Sequence, residues 1–133
     1  MAQRKSGSKR ALPTCLVVDD SQVIRKVSRR ILEDLGFEVA EACDGIEALA
    51  WCSAVTPDLI VLDWRMPGMD GLSFLRRLRQ EPGGDVPKVV FCSSETALAH
   101  VRQALDAGAD EYLMKPFDSD LMASKLAHVG FAP

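Results

Sequence analysis

Residues 59–71 read "LIVLDWRMPGMDG": four apolar residues in succession, one aspartate, then a loop. Leu59, Ile60, Val61 and Leu62 show no alternation of apolar and polar, which predicts a strand covered on both faces. A carboxylate at the end of such a strand costs free energy unless something compensates it. Asp63 therefore needs partners from elsewhere in the chain.

Working outward, the same alternation of apolar run and amphipathic segment recurs. "CLVVDD" (15–20) is a short strand ending in acids, followed by "SQVIRKVSRRILEDLGF", where Val23, Ile24, Val27, Ile31, Leu32 and Leu35 recur at helical spacing. Ser21 or Asp20 is placed to cap that helix and Gly36 to stop it. "EVAEA" (38–42) reads as a strand, and "DGIEALAWCSAV" (44–55) as a helix halted before Pro57. "GLSFLRRLRQ" puts Leu72, Leu75 and Leu78 on one side of a third helix, ahead of the loop "EPGGDVP". "KVVFCSS" with "TALAHVRQALDAG", then "EYLMK" with "DSDLMASKLAHV", complete the fourth and fifth pairs. Five strand-then-helix units imply a parallel sheet with helices on both faces, and right-handed crossovers make it doubly wound. The fold class is α/β.

Composition agrees with one domain. The 133 residues carry 47% hydrophobic and 26% charged side chains, ordinary for a globular chain able to bury a core. A net charge of −3 gives no global argument for nucleic acid. No apolar run approaches membrane-spanning length and no signal peptide is recognisable, so a cytoplasmic location and no membrane span are expected. Cys15, Cys43, Cys52 and Cys92 lie far apart without metal-ligand spacing and read as packing residues. Residues 1–13, "MAQRKSGSKRALP", hold Arg4, Lys5, Lys9 and Arg10; they read as a disordered basic leader, or as an arm for an anionic ligand. Residues 14–133 form the domain, and with "GFAP" directly after the fifth helix no DNA-binding or other output module is expected.

In a parallel sheet all strands end at one edge, and ligands bind outside those carboxyl ends. Delivered there are Asp19 and Asp20, Asp63, Ser93 and Lys115; strand two delivers nothing notable. Three crowded carboxylates repel, so one is protonated or a cation sits among them. An oxygen-rich site of this kind suits Mg²⁺, which keeps waters and binds where a phosphoryl group completes its shell. Lys115 supplies charge for an anion's other oxygens and Ser93 a donor. Together they make an apparatus for in-line phosphoryl transfer, in which the carboxylate itself can be the nucleophile. Taken singly, each residue has a plainer reading as helix cap, turn or surface lysine. Five converging from four strands do not.

"VVDDS", "EACDGIEAL", "LDWRMPGMDG", "CSSET" and "AGADEYLMKPF" resemble a response-regulator receiver domain of the single-domain, CheY-like kind, over residues 14 to about 130. The resemblance implies a flavodoxin/CheY-like sheet of order 2-1-3-4-5. It implies that Asp63 is phosphorylated from a histidine kinase or histidine phosphotransfer protein. Mg²⁺ would be held by Asp20, Asp63 and the backbone carbonyl of Arg65, with Asp19 helping through water. Lys115 would pair with the phosphoryl group, across a cis peptide to Pro116, and Ser93 would swing onto a phosphoryl oxygen. Tyr112 would then rotate inward and change the face of helix four, strand five and helix five for a downstream protein target. The implied protein is a monomer that catalyses only its own phosphorylation and dephosphorylation, with chemotaxis or motility control as one setting.

Some readings go beyond that resemblance. Arg65 and Glu95, two residues past Asp63 and Ser93, are expected to overhang the pocket as an ion pair that modulates water access. Arg25, Lys26, Arg29 and Arg30 read as the solvated side of the first helix, or as part of a docking surface. Trp64 should report on the site optically and Trp51 should pack on the second helix, while His100 and His128 are given no chemistry or partner. Competing functions are a phosphate carrier passing its group to a histidine phosphotransfer protein, a Mg²⁺-dependent phosphatase, and an anion-binding leader with a secondary receiver.

Overall fold

A computed structural model describes residues 12–94 and 98–131. Most of the basic leader, together with Glu95, Thr96 and Ala97, lies outside the described residues, so the readings placed on them have no structural counterpart here.

Five strands and five helices alternate along the chain. They are β1 (Thr14–Val18), α1 (Gln22–Asp34), β2 (Glu38–Ala42), α2 (Gly45–Ala54), β3 (Leu59–Asp63), α3 (Gly71–Gln80), β4 (Lys88–Ser93), α4 (Leu98–Asp106), β5 (Glu111–Met114) and α5 (Ser119–His128). The sheet has the order β2-β1-β3-β4-β5 with every pair parallel, as the resemblance implied.

Side-chain alternation divides each central strand between two cores. Leu16, Val18, Ile60, Leu62, Val89 and Phe91 pack with Phe74, Leu75, Leu78, Ala48 and Ala104 from α2, α3 and α4. Cys15, Val17, Leu59, Val61, Val90, Cys92 and Leu113 face the other way, onto Leu32, Met122 and Leu126 from α1 and α5. All of β3 is buried, which is why its sequence shows no alternation. Local chemistry starts the helices: Ser21, Asp44, Asp70 and Asp118 each accept a backbone N–H from the first turn they precede. At the end of α1, Gly36 turns at φ +100°, and Gly36 and Phe37 donate back to Glu33 and Leu32, a glycine-dependent stop.

The buried face of α1 differs from the one its periodicity predicts. Val23 is 70% exposed and Val27 50% exposed, whereas Ser28 and Leu32 are buried and Ile24 and Ile31 half-buried. The six apolar positions cover two adjacent stripes of the helix, and a sheet can contact only one of them. Small Ser28 occupies the middle of the stripe that faces the sheet. Among the described residues no helix is long and apolar enough to cross a membrane.

Candidate functional site

Sheet register assembles the site. Val18 pairs with Leu62, Asp63 with Cys92, and Ser93 with Met114, so Asp19, Asp63, Ser93 and Lys115 follow one another across neighbouring strand ends. Backbone bonds continue the ladders past those ends: Asp19 donates to Ala42, Trp64 to Cys92 and Lys115 to Ser93. The residues line a cavity of about 270 Å³ with Asp20, Ser21, Ile24, Trp64, Arg65 and Ser94.

Asp63, Asp19 and Ser93 are buried, with 8%, 4% and 3% exposure, and Asp20 is exposed. Lys115 Nζ reaches Asp63 Oδ1 at 2.7 Å and Asp19 Oδ2 at 3.0 Å. The other Asp19 oxygen accepts the Ser21 N–H at 2.9 Å. One oxygen each from Asp19, Asp20 and Asp63 lie within 4.8 Å of one another. Burial pushes the Asp63 carboxyl above its ordinary value; Lys115 opposes that, and Asp19 and Asp20 add to it. Burial pulls Lys115 the other way, but its bonds to Asp63 and Asp19 outweigh it and leave the ammonium more basic than usual. Three carboxylates facing one ammonium leave the cluster negative. A hard divalent cation with oxygen ligands fits that donor set.

The bond from Lys115 to Pro116 is cis, as expected. Tyr112 is buried at 6% exposure, its ring parallel to Phe91 at 6.4 Å. Arg65 lines the cavity, but its expected partner Glu95 is outside the described residues. Trp51 is half-buried against the core on the α2 and α3 side.

Other contacts depart from the sequence reading. Glu41 makes β2 part of the site's support: it accepts from Arg25 Nε at 3.0 Å and from Arg29 at 2.7 Å. Arg25 also donates to the Asp19 carbonyl at 2.7 Å. Two of the four α1 cations are therefore engaged rather than simply solvated, because Val17 pairs with Glu41 and brings that carboxylate beneath the helix. The only sequence signal was the Arg25–Arg29 spacing of four. His128 has a partner too, Glu111 at 2.8 Å, and His100 lies on Trp64 with ring centroids 4.0 Å apart. No linear pattern announces either contact. Of the four cysteines, Cys15 and Cys92 are buried, Cys52 is half-buried and Cys43 is exposed. Burial pushes the Cys52 thiol up to about 11, which suits a packing residue.

The Arg25–Glu41–Arg29 group yields a pH prediction. The Arg29 guanidinium, more than that of Arg25, holds Glu41 below the ordinary value of 4.5. A carboxylate depressed in the folded state contributes stability that is present above its unfolded pKa and lost as pH falls through the folded one. Glu41→Gln is thus expected to cost about 1 kcal/mol near neutrality, the upper end for partly exposed pairs. The difference should shrink to nothing in acid below the ordinary carboxylate range. Urea denaturation of both proteins across that range measures it, and a pH-independent difference would remove the electrostatic explanation.

A larger hollow of about 490 Å³ lies between α2, α3 and the loop after α3. Its charged lining, Arg77 and Glu81, is paired at 4.0 Å, and it holds none of the cluster's residues.

The family model of the response regulator receiver domain matches residues 15–127. The response regulator MprA of Mycobacterium avium is 41% identical over 111 residues, 84% of this chain and 48% of that protein. MprA of Mycobacterium tuberculosis is likewise 41% identical over 111 residues, 84% of this chain and 47% of its own length. The chain spans about half the length of the curated relatives it matches. Among solved structures, the chemotaxis protein CheY4 of Vibrio cholerae superposes with a TM-score of 0.85 at 33% identity, covering 90% of this chain and 99% of that one.

Proposed function

The chain belongs to the response regulator receiver domain family, and from that premise we propose that Asp63 accepts a phosphoryl group from the phosphohistidine of a histidine kinase or phosphotransfer protein. The observation carrying this reading is the bridge from Lys115 to both Asp63 and Asp19 beside a third carboxylate. An Asp63 oxygen attacks phosphorus in line; the P–O bond forms as the P–N bond breaks, and the histidine leaves. Lys115 already touches Asp63, so it is in place to neutralise charge growing on the phosphoryl oxygens. Asp20, Asp63 and the Arg65 carbonyl would hold Mg²⁺, with Asp19 through water. That ion supplies charge neutralisation and alignment of the transferring group.

After transfer, the Ser93 hydroxyl donates to a phosphoryl oxygen. The added charge shifts the surface of α4, β5 and α5 between two arrangements, and a downstream protein reads the change. Tyr112, on β5, turns with that surface. The chain acts in the cytoplasm as a monomeric switch that processes only its own phosphoryl group. Likeness to CheY4, described as a chemotaxis protein, supports motility control as one output.

The test uses Trp64, adjacent to the acceptor, with Trp51→Phe removing the other indole. Beryllofluoride, a phosphoryl mimic, is expected to change Trp64 fluorescence only when Mg²⁺ is present. A silent Trp64 under saturating Mg²⁺ and beryllofluoride would count against an acyl-phosphate site.

A further inference from the structure

From β5 to α4, four rings stand in a row. Tyr112 lies parallel to Phe91, Phe91 and Trp64 meet edge-to-face at 5.0 Å, and the His100 imidazole stacks on Trp64 at 4.0 Å and 26°. Trp64 is the member that lines the cavity around Asp63. Its backbone is fixed on both sides: its N–H donates to Cys92 at 3.1 Å and its carbonyl accepts from Gly71 at 2.9 Å. The indole itself meets Phe91 in an edge-to-face contact and His100 in a stack.

His100 occupies this position at a cost. Its Nδ1 is buried with no hydrogen-bond partner among the described residues, a penalty that an aliphatic side chain would avoid. What the imidazole provides there is a flat surface against the indole, and offset stacked rings attract beyond their area of contact. The contact also crosses between elements, because His100 rides on α4 while Trp64 follows β3.

We propose that His100 is a positioning residue: from α4 it holds the Trp64 indole as a wall of the phosphoryl cavity, so the closure of that cavity depends on where α4 sits. The inference rests on Asp63 being the phosphoryl acceptor. In hydrolysis a water oxygen bonds to phosphorus and the bond from phosphorus to the Asp63 oxygen breaks. The carboxylate is regenerated, and inorganic phosphate leaves with the water's protons. An indole held in place limits water's approach, and a loosened one admits it. By linkage, a ligand that repositions α4 changes the closure as well.

The test compares His100→Ala and His100→Phe in the Trp51→Phe background, so that Trp64 is the one indole. Iodide quenching is measured first, without phosphodonor. His100→Ala is expected to raise quenching of Trp64, and His100→Phe, which keeps a flat ring, to restore the parent value. Each protein is then phosphorylated with acetyl phosphate and Mg²⁺, and the decay of phosphoprotein is followed. His100→Ala should lose phosphate faster by roughly twofold to tenfold, the rate equivalent of one aromatic pair, with His100→Phe near the parent.

Unchanged quenching and decay in His100→Ala would overturn the proposal. So would a His100→Phe protein that behaves like His100→Ala, since a stack needs only a ring. A parent that takes up no phosphate defeats the acceptor reading instead. The quenching series then still decides whether His100 holds the indole.

Discussion

Asp63→Asn is expected to take no phosphoryl group from acetyl phosphate or a kinase, and yet to be more stable than the parent at neutral pH. The first effect is all-or-none, because in the proposed reaction the carboxylate oxygen is the nucleophile, and an amide cannot form the acyl phosphate. The second follows from the environment of Asp63: a nearly buried carboxyl whose pKa burial raises, with Lys115 opposing and Asp19 and Asp20 adding to the rise. A carboxyl with a folded-state pKa above the unfolded one makes stability fall as pH rises through the interval between them. Asparagine carries no such penalty, so its advantage is absent in acid and complete above the folded-state pKa. Lys115 is not stranded by the change, since Asp19 stays at 3.0 Å.

Magnesium works against that difference, because it stabilises the parent. A cation present at a hundredfold excess over its dissociation constant stabilises the folded state by about 2.7 kcal/mol, and the Asn variant should lose most of that gain. Phosphoprotein electrophoresis with urea denaturation at several pH values, with and without Mg²⁺, checks all three expectations. Undiminished phosphorylation of Asp63→Asn would move the acceptor elsewhere.

Gly71→Ala is expected to be the most damaging single-methyl change near the site. A Cβ there would sit 2.1 Å from the Asp63 carbonyl oxygen and 3.2 Å from the Phe91 ring. Backbone cannot yield as a flexible side chain can, so α3 must retreat from the end of β3. Overpacking of this kind costs about 3 kcal/mol or more. Since the Gly71 N–H also holds the Trp64 carbonyl, the retreat should weaken Mg²⁺ binding along with stability. Gly36→Ala is the matched control. Its φ is +100° but nothing lies within 4 Å of the added carbon, so only the conformational cost remains, about 1 kcal/mol. Urea midpoints of the two variants measure the contrast; equal losses would show that β3 and α3 approach less closely than the structure has them.

The sequence alone carried the five strand–helix units, because strand burial, helix period and caps are local. "LIVLD" has no alternation since both faces of β3 are covered, and Ser21, Asp44, Asp70 and Asp118 cap the helices they precede. The convergence of Asp19, Asp20, Asp63, Ser93 and Lys115 was legible for the same reason: each ends or follows a strand, and parallel strands end together. Only the tertiary structure decided which stripe of α1 is buried, because the helix's rotation against the sheet selects Ser28 over Val23 and Val27. It also decided the contacts made beside the site, Arg25 with Glu41 and Trp64 with His100. Their partners lie 16 and 36 positions apart and meet through strand register and helix placement. Periodicity in one dimension states which residues face inward, but what each one faces depends on how the elements are set against one another.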